Sequence, residues 1–161
     1  MFGLGATKVE FVAPFAGQVI PVEDTNDGVF SQLLLGEGIS VVPADDAGVV
    51  EVCAPVAGTI ANIFNTRHAF TMVSTDGLEV LVHIGIGTVG LDGEGFEALV
   101  ADGDAVEAGT PIVRVDFAAV RAAGKDCATP VVVSKRKQVK RASFTYGAAE
   151  AAQPIGDVTL A

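Results

Sequence analysis

The stretch Ala13-Pro14-Phe15-Ala16-Gly17-Gln18-Val19-Ile20 (APFAGQVI) recurs as Ala54-Pro55-Val56-Ala57-Gly58-Thr59-Ile60 (APVAGTI), an offset of 54 − 13 = 41 residues. In each copy, a Pro-x-x-Gly turn leads into a run of strand-forming residues. Two copies of such a unit predict a duplicated hairpin that packs against its own copy. A third and looser hairpin signal is the turn at Asp102–Thr110, which leads into a strand ending near Val115.

Most of the remaining sequence consists of short Val-, Ile- and Phe-rich runs separated by Gly, Pro, Asp and Asn. This spacing predicts an all-β fold, an antiparallel β-sandwich or barrel of duplicated hairpins, with short helical segments. We expect strands at Glu10–Ala13, Gln18–Val22, Ile39–Val42, Gly48–Ala54, Thr59–Phe64, Ala69–Ser74, Leu78–Ile84, Pro111–Val115, Val131–Ser134, Ala142–Tyr146 and Asp157–Leu160. The period of two is lost in three segments between breakers, where we expect helices: Gly28–Leu35, Phe96–Ala101 and Phe117–Ala123.

Length and composition favour one domain. A chain of 161 residues, 50% of them hydrophobic, can bury a proper core. We expect a single domain over residues 1–161, with its core from about residue 10 onward and a short N-terminal extension over residues 1–9.

The net charge is −10, from 20 acidic and 10 basic residues, so the surface should repel nucleic acids and anionic membranes. Five of the basic residues lie within one short segment: Lys135, Arg136, Lys137, Lys140 and Arg141. We interpret this basic segment as a solvated edge strand or loop protected by charge. A docking patch for an acidic partner or for lipid headgroups is the alternative.

The two cysteines, Cys53 and Cys127, have neither a CxxC spacing nor a metal-ligand spacing, so we expect reduced thiols. The N-terminus lacks the features of a signal peptide, and no apolar stretch approaches the roughly 18 residues of a membrane span. These observations predict a cytoplasmic protein that does not insert into the membrane.

Both histidines of the chain, His68 and His83, lie at the ends of the segment HAFTMVSTDGLEVLVH. If Asp76-Gly77 is a two-residue hairpin turn, His83 faces Phe70 across the two strands. His68 then points to the same side as Phe70, and the histidines become diagonal neighbours with Cα atoms about 7–8 Å apart. A four-residue loop keeps this register, whereas a three-residue loop shifts it by one and sends the histidines to opposite faces.

In the first register, the histidine face also carries Thr66, Phe70, Met72 and Leu81. A single histidine on an apolar strand is usually a hydrogen-bonded core residue, but two histidines that converge on one face favour a reactive role. Neutral imidazole is both a nucleophile and a proton donor near pH 7, so one ring could attack while the other stabilises developing charge. Two histidines supply only half of a tetrahedral zinc shell, so we expect no intrinsic metal site and keep a zinc site completed by a partner, through His68 and His83, as an alternative.

Several motifs closely resemble the glucose-type enzyme IIA of the phosphoenolpyruvate-dependent sugar phosphotransferase system. The resemblance runs from about residue 10 to the C-terminal end, and its most specific part is the pair of histidine motifs, 83 − 68 = 15 residues apart. Biotinyl and lipoyl carriers share the Ala-Pro-x-x-Gly repeats, but they need a lysine at a hairpin tip, and the Asp76-Gly77 turn has none. The matching segments are Ala13–Gly17, Asp27–Phe30, Gly36–Ile39, Ala54–Ile60, Thr66–Phe70, Leu81–Val89, Gly93–Phe96 and Thr129–Ser134.

The resemblance implies a β-sandwich phosphotransferase without a cofactor. In it, His83 accepts a phosphoryl group from the carrier HPr as tele-phosphohistidine and passes it to the cysteine of a sugar-specific IIB domain of a membrane IIBC permease. It also implies that His68 hydrogen-bonds the phosphoryl group and that Thr66 orients His68. Partner docking is expected at an apolar and acidic rim made of Asp27, Phe30, Phe70, Met72, Leu81 and Gly87.

One departure from the family pattern concerns Gly87, which stands where the family usually has an aspartate. We expect phosphoryl transfer to persist with an altered partner affinity.

A rival hypothesis is a regulatory protein that binds transporters or metabolic enzymes through the same histidine face. A zinc hydrolase on a related scaffold is disfavoured because further histidine and aspartate ligands are absent. The sugar, the oligomeric state and the role of the basic segment do not follow from the sequence.

Overall fold

A computed structural model describes residues 7–25 and 37–161. Within these ranges lie fourteen strands and one α-helix, α1 (Phe117–Ala122), with 3₁₀ turns at Val22–Asp24, Thr88–Leu91 and Arg136–Gln138. The strands are β1 (Lys8–Val12), β2 (Gly17–Pro21), β3 (Glu37–Val42), β4 (Val49–Cys53), β5 (Gly58–Ile63), β6 (Ala69–Ser74), β7 (Glu79–His83), β8 (Phe96–Ala98), β9 (Ala105–Val106), β10 (Pro111–Asp116), β11 (Thr129–Val133), β12 (Val139–Phe144), β13 (Gly147–Ala149) and β14 (Pro154–Leu160).

The strands form one large antiparallel sheet and two small ones. The eight-stranded sheet has the order β13-β2-β3-β11-β7-β6-β5-β9, and the three-stranded sheets have the orders β1-β14-β12 and β4-β10-β8. The order of the large sheet is symmetric about its central β11–β7 pair, and each half carries one copy of the sequence repeat, leading into β2 or β5. The β-sandwich alternative of the predicted fold is confirmed. The barrel alternative is wrong, because β13 and β9 end the large sheet without pairing to each other.

The two copies of the repeat contact each other directly. The Val12 N–H donates to the Pro55 carbonyl oxygen, and the Cys53 N–H donates to the Pro14 carbonyl oxygen, both over 2.8 Å. These bonds are reciprocal, because each residue of one bond lies 41 positions from its counterpart in the other. The prediction that the duplicated hairpin packs on its own copy is therefore confirmed.

The glycine of each repeat, Gly17 or Gly58, is required because the neighbouring strand approaches its backbone closely. A Cβ at Gly17 would overlap the carbonyl oxygen of Val42, and a Cβ at Gly58 would overlap that of Val73. Only glycine allows the backbones to approach this closely. The same residue type is therefore needed at the same place in both halves.

One hydrophobic core lies between the sheets and draws on both halves. Phe15, within the first repeat turn, contacts Phe117 of α1 with ring centroids 5.3 Å apart, and both are buried. Burying each such side chain contributes roughly 1.5–3 kcal/mol relative to leaving it in water. This core also fixes β7, the strand that ends at His83, since Val80 and Val82 of β7 are fully buried in it.

Every strand predicted from the sequence overlaps an observed strand, and the third hairpin signal corresponds to β9 and β10. The helix predicted at Phe117–Ala123 is confirmed as α1, capped by Asp116, which accepts hydrogen bonds from the Ala118 and Ala119 N–H groups. The helix predicted at Phe96–Ala101 is wrong. Phe96–Ala98 is the edge strand β8 paired with β10, and two of its three side chains are exposed, which removes the alternating pattern. The helix predicted at Gly28–Leu35 lies outside the described residues.

Among the residues that the structure describes, no helix combines the length and the apolar character that crossing a membrane would require.

Candidate functional site

The two imidazoles lie next to each other at one end of the β6–β7 hairpin. His83 is the last residue of β7, and His68 immediately precedes β6. Their ring centroids are 4.9 Å apart and their planes are 79° apart, an edge-to-face arrangement. The predicted closeness of the two histidine side chains is thus present in the structure.

The register that led to this prediction is wrong by one residue. The Ser74 N–H donates to the Leu78 carbonyl oxygen over 2.8 Å, so the loop contains three residues rather than two. As a result, His83 pairs with Ala69, and Phe70 pairs with Val82. A three-residue loop of this kind, closed by a glycine with positive φ, is a common alternative to the two-residue turn.

The histidines meet because His68 lies outside the strand. The extended backbone of β6 begins at Ala69, and Arg67 has φ 59°, in the left-handed region. Strict alternation of faces holds only along extended backbone, so it does not govern His68. The Ile84 N–H donates to the His68 carbonyl oxygen over 2.6 Å and keeps this end of the hairpin closed.

The tautomer of neutral His83 is set by a backbone carbonyl. His83 Nδ1 lies 2.7 Å from the Gly85 carbonyl oxygen. A carbonyl oxygen can only accept a hydrogen bond, so Nδ1 must carry the proton and donate it. The lone pair of the neutral ring is then on Nε2, which is the nitrogen that can act as a nucleophile.

His68 is held in its neutral form. Its side chain is nearly buried, with 3% of the residue exposed, and Thr66 Oγ1 lies 2.5 Å from its Nδ1. Burial, assisted by the neighbouring His83, lowers the pKa of His68 from 6.5 to about 4. At pH 7 the ring is therefore an uncharged hydrogen-bonding group, and an anion beside it would raise its pKa.

Two of the expected docking residues are not at the surface. Phe70 and Met72 are fully buried and belong to the main core, so the prediction that they line the docking rim is wrong. The one-residue register shift explains this error, because it turns both side chains from the histidine face to the core face. Leu81 lies on the same strand face as His83 and is partly exposed.

Two exposed apolar residues, one beside the His68 ring and one six residues after His83, escaped the sequence analysis. Phe64 is 36% exposed, and its ring centroid lies 5.6 Å from that of His68. Val89 is 57% exposed and belongs to the 3₁₀ turn that follows Gly87. Their closeness in sequence to the histidine motifs, rather than any periodicity, was the available signal.

Gly87 is exposed and has φ 74°. A Cβ at this position would lie 3.6 Å from Cδ and 3.9 Å from Nζ of Lys125. The Lys125 side chain therefore extends alongside the place that a larger residue at position 87 would occupy. Asp27 and Phe30, the other expected docking residues, lie outside the described ranges.

The basic segment is exposed at a sheet edge, in agreement with its interpretation as a charged edge. Its residues lie just before or on the Arg136–Gln138 turn and on β12, which ends the order β1-β14-β12. Lys135 Nζ lies 2.8 Å from an oxygen of Glu79, at the opposite end of β7 from His83.

Over residues 7–25 and 37–161, no cluster of three or more His, Cys, Asp or Glu side chains could hold a metal ion.

Comparison with known proteins gives a consistent result. Residues 9–139 match the family model described as "phosphoenolpyruvate-dependent sugar phosphotransferase system, EIIA 1". The chain is 39% identical to the PTS system glucose-specific EIIA component of Staphylococcus aureus (strain Mu50) over 141 residues, which are 86% of this chain and 82% of that protein. It is 37% identical to the corresponding component of Buchnera aphidicola over 148 residues, covering 92% of this chain and 89% of the relative.

A solved structure, the glucose permease IIA from Mycoplasma capricolum, superposes with a TM-score of 0.85 and 30% identity. The superposition covers 94% of this chain and 96% of that one. The chain therefore belongs to the EIIA 1 family of the phosphoenolpyruvate-dependent sugar phosphotransferase system, as a phosphocarrier that works between HPr and the IIB and IIC permease components.

Proposed function

We propose that His83 is the phosphoryl acceptor and that the phosphoryl group is carried on its Nε2. The observation that carries this proposal is the hydrogen bond from His83 Nδ1 to the Gly85 carbonyl oxygen, which leaves the lone pair on Nε2. In the first transfer, the P–N bond of phosphohistidine on HPr breaks as His83 Nε2 bonds to phosphorus. In the second, this new P–N bond breaks as a cysteine thiolate of the IIB domain bonds to phosphorus.

His68 would stabilise the phosphoryl group on His83 during its onward transfer to the IIB domain. Transfer between nucleophiles passes through a loose in-line state, so catalysis depends mainly on positioning and charge stabilisation. If the Thr66 hydroxyl donates to His68 Nδ1, the proton of the neutral His68 ring lies on Nε2, where it can be donated to a phosphoryl oxygen. Thr66 would thus select the tautomer of His68 in the way that Gly85 selects that of His83.

Partners would dock on the apolar surface around the histidine pair. Phe64 is exposed there beside the His68 ring, and Leu81 is partly exposed on the strand face of His83. We extend this surface to Val89, which is exposed on the turn that follows Gly87. An apolar rim excludes water from a labile phosphohistidine and gives a partner a surface to bury. The net charge of −10 suits partners with basic residues around their own phosphorylation sites. Asp27, Phe30 and Gly87 stay predictions for this surface.

The relatives named above are glucose-specific EIIA components and a glucose permease IIA. We extend a glucose-type role to this chain, as a single cytoplasmic EIIA domain that uses no cofactor and serves a membrane IIBC permease. Regulatory binding of transporters or metabolic enzymes through the same face, and a zinc site completed by a partner through His68 and His83, also stay predictions.

Phosphorylation followed by intact mass tests the proposal. The wild type, His83→Gln and His68→Gln are incubated with phosphoenolpyruvate, enzyme I and the HPr of the same organism, and transfer to the cognate IIB domain is then followed. We expect one acid-labile phosphoryl group on the wild type and on His68→Gln, none on His83→Gln, and slow onward transfer from His68→Gln. Labelling of His83→Gln, or no labelling of the wild type, would contradict the proposed acceptor.

A further inference from the structure

Arg67 joins Thr66 to His68 and has an unusual backbone conformation, with φ 59°. Outside glycine, the left-handed region is adopted mainly by asparagine and aspartate, so an arginine needs support to stay there. Part of this support is local, because the Arg67 N–H donates to the Phe64 carbonyl oxygen over 2.7 Å. The side chain supplies the rest.

The Arg67 side chain reaches across to the segment that enters β8. Its Nε donates to the Phe96 carbonyl oxygen over 3.2 Å. A Cβ at Gly93 would lie only 2.7 Å from Arg67 Nη2 and 3.4 Å from the Thr66 carbonyl oxygen. The guanidinium therefore rests directly on the Gly93 backbone, and a Cβ at position 93 would require it to move.

The anchor for Arg67 is itself fixed. Gly93 is buried, Phe96 is 7% exposed, and the Phe96 N–H donates to the Gly93 carbonyl oxygen over 3.1 Å. Phe96 also pairs with Val115 in the β4-β10-β8 sheet. Arg67 thus ties the β5–β6 turn of the large sheet to a rigid part of a different sheet.

We propose that Arg67 is a positioning residue that clamps this turn through Gly93 and Phe96. The clamp holds Thr66 Oγ1 against His68 Nδ1 and holds the His68 ring beside that of His83. Displacing a group in such a site by about 1 Å can lower a rate by about 100-fold. The inference rests on the proposed role of His68 in phosphoryl transfer, but the clamp itself is detectable without any transfer.

The first test separates the side chain from the backbone conformation. Arg67→Gly adopts the left-handed conformation freely but lacks the guanidinium, whereas Arg67→Lys keeps an N–H donor on a long stem. The pKa of His68 is measured by NMR, and phosphorylation by phospho-HPr and onward transfer to IIB are measured by rapid quench. In Arg67→Gly we expect the pKa of His68 to rise towards 6.5, acceptance on His83 to stay within about threefold, and onward transfer to fall about tenfold or more. Arg67→Lys should recover part of both effects.

The second test changes the anchor and has a matched control. Gly93→Ala places a methyl group against the guanidinium, and Gly103→Ala introduces the same residue at an almost identical φ, 89° instead of 87°, with no atom within 4 Å of the new Cβ. Both variants incur the backbone strain of alanine at positive φ. Only Gly93→Ala should raise the pKa of His68 and slow onward transfer.

An unchanged pKa of His68 and an unchanged transfer rate in folded Arg67→Gly would overturn the clamp. A raised pKa of His68 in Arg67→Gly, together with normal onward transfer from His68→Gln, would support the clamp and refute the proposed role of His68 instead. The two hypotheses therefore fail separately.

Discussion

His83 donates from Nδ1 to the carbonyl oxygen of Gly85, two residues further along the chain, over 2.7 Å. The backbone two residues after His83 thus determines which nitrogen of the His83 ring is nucleophilic. Because Gly85 precedes the exposed 3₁₀ turn at Thr88–Leu91, the turn near the docking surface and the tautomer of His83 depend on the same short segment.

The phosphoryl group should be attached to Nε2 of His83. Phosphorylation of the ¹⁵N-histidine-labelled protein should give a one-bond ³¹P coupling to Nε2, while Nδ1 keeps its proton and its bond to Gly85. His68→Gln serves as the control, because it simplifies the spectrum without removing the acceptor. A coupling to Nδ1 would show that the Gly85 hydrogen bond does not control the site of attachment.

Phosphorylation of His83 should raise the pKa of His68. In the unmodified protein, burial and the neighbouring His83 lower this pKa to about 4. A phosphoryl group carries nearly two negative charges, and an opposite charge within about 4–6 Å favours the protonated ring. An NMR titration of both forms should show an upward shift of more than about one unit. An equal pKa in the two forms would place His68 out of reach of the phosphoryl group.

His68 should make the unmodified protein less stable in acid. The pKa of His68 is about 4 in the folded protein and 6.5 in the unfolded chain, so between these values the unfolded chain binds more protons. The titration of His68 has no effect on the free energy of unfolding above pH about 6.5. As the pH falls from about 6.5 to about 4, it lowers that free energy by on the order of 3 kcal/mol. Urea unfolding at several pH values should show a shallower decline in His68→Gln than in the wild type. Parallel declines would mean that the folded protein does not lower this pKa.

Thr66→Val should slow onward transfer while acceptance on His83 continues. Valine keeps the shape of threonine but cannot bond to His68 Nδ1, and losing one such hydrogen bond costs about 0.5–1.5 kcal/mol, or roughly up to tenfold in rate. Thr66→Ser retains the hydroxyl and is the control. Equal rates for the valine and serine variants would exclude Thr66 from orienting His68.

Gly87→Asp should change the affinity for HPr without stopping transfer. Aspartate tolerates the left-handed backbone at this position, and its carboxylate would lie near the Lys125 ammonium. We expect the KM for phospho-HPr to fall a few-fold at low salt and the difference to disappear at high salt, as for exposed charges. Gly87→Asn is the control, because asparagine has nearly the shape of aspartate but no charge. Unchanged transfer kinetics in Gly87→Asp would make position 87 irrelevant to docking.

Val89→Ser should weaken partner binding. Val89 is 57% exposed on the turn that follows Gly87, in the proposed docking surface, so the substitution should raise the KM for phospho-HPr several-fold with little effect on stability. Val49→Ser is the matched control, since Val49 is 65% exposed but lies on β4 in a different sheet. If both variants raise the KM equally, the surface around Val89 has no special role in docking.

The fold could be predicted because its signals are local and occur twice. The repeat at Ala13 and Ala54 contains the turn and the close-approach glycine, and both copies use them in the same way. By contrast, the register of the β6–β7 hairpin depends on whether the loop has two or three residues. The sequence Thr75-Asp76-Gly77 is compatible with both, and the observed loop turned Phe70 and Met72 into the core.

The closeness of the histidines was predicted from a register that the structure does not have. It depends instead on the left-handed backbone of Arg67, whose support comes from Gly93 and Phe96, far away in sequence. Arginine carries no propensity signal for this conformation, so no local pattern could reveal it. The exposure of Val89 likewise depends on the 3₁₀ turn after β7 rather than on any strand periodicity.

The symmetric order of the large sheet makes β7 and β11 counterparts, but their connections to the next strand differ in length. Residues 84–95 connect β7 to β8, whereas residues 134–138 connect β11 to β12. The longer connection contains the Gly85 acceptor for His83, the turn that carries Val89, and Gly93, on which Arg67 rests, and the shorter one contains much of the basic segment. The groups proposed to act in phosphoryl transfer are therefore unequally divided between two otherwise matching halves, and one connection accounts for most of the difference.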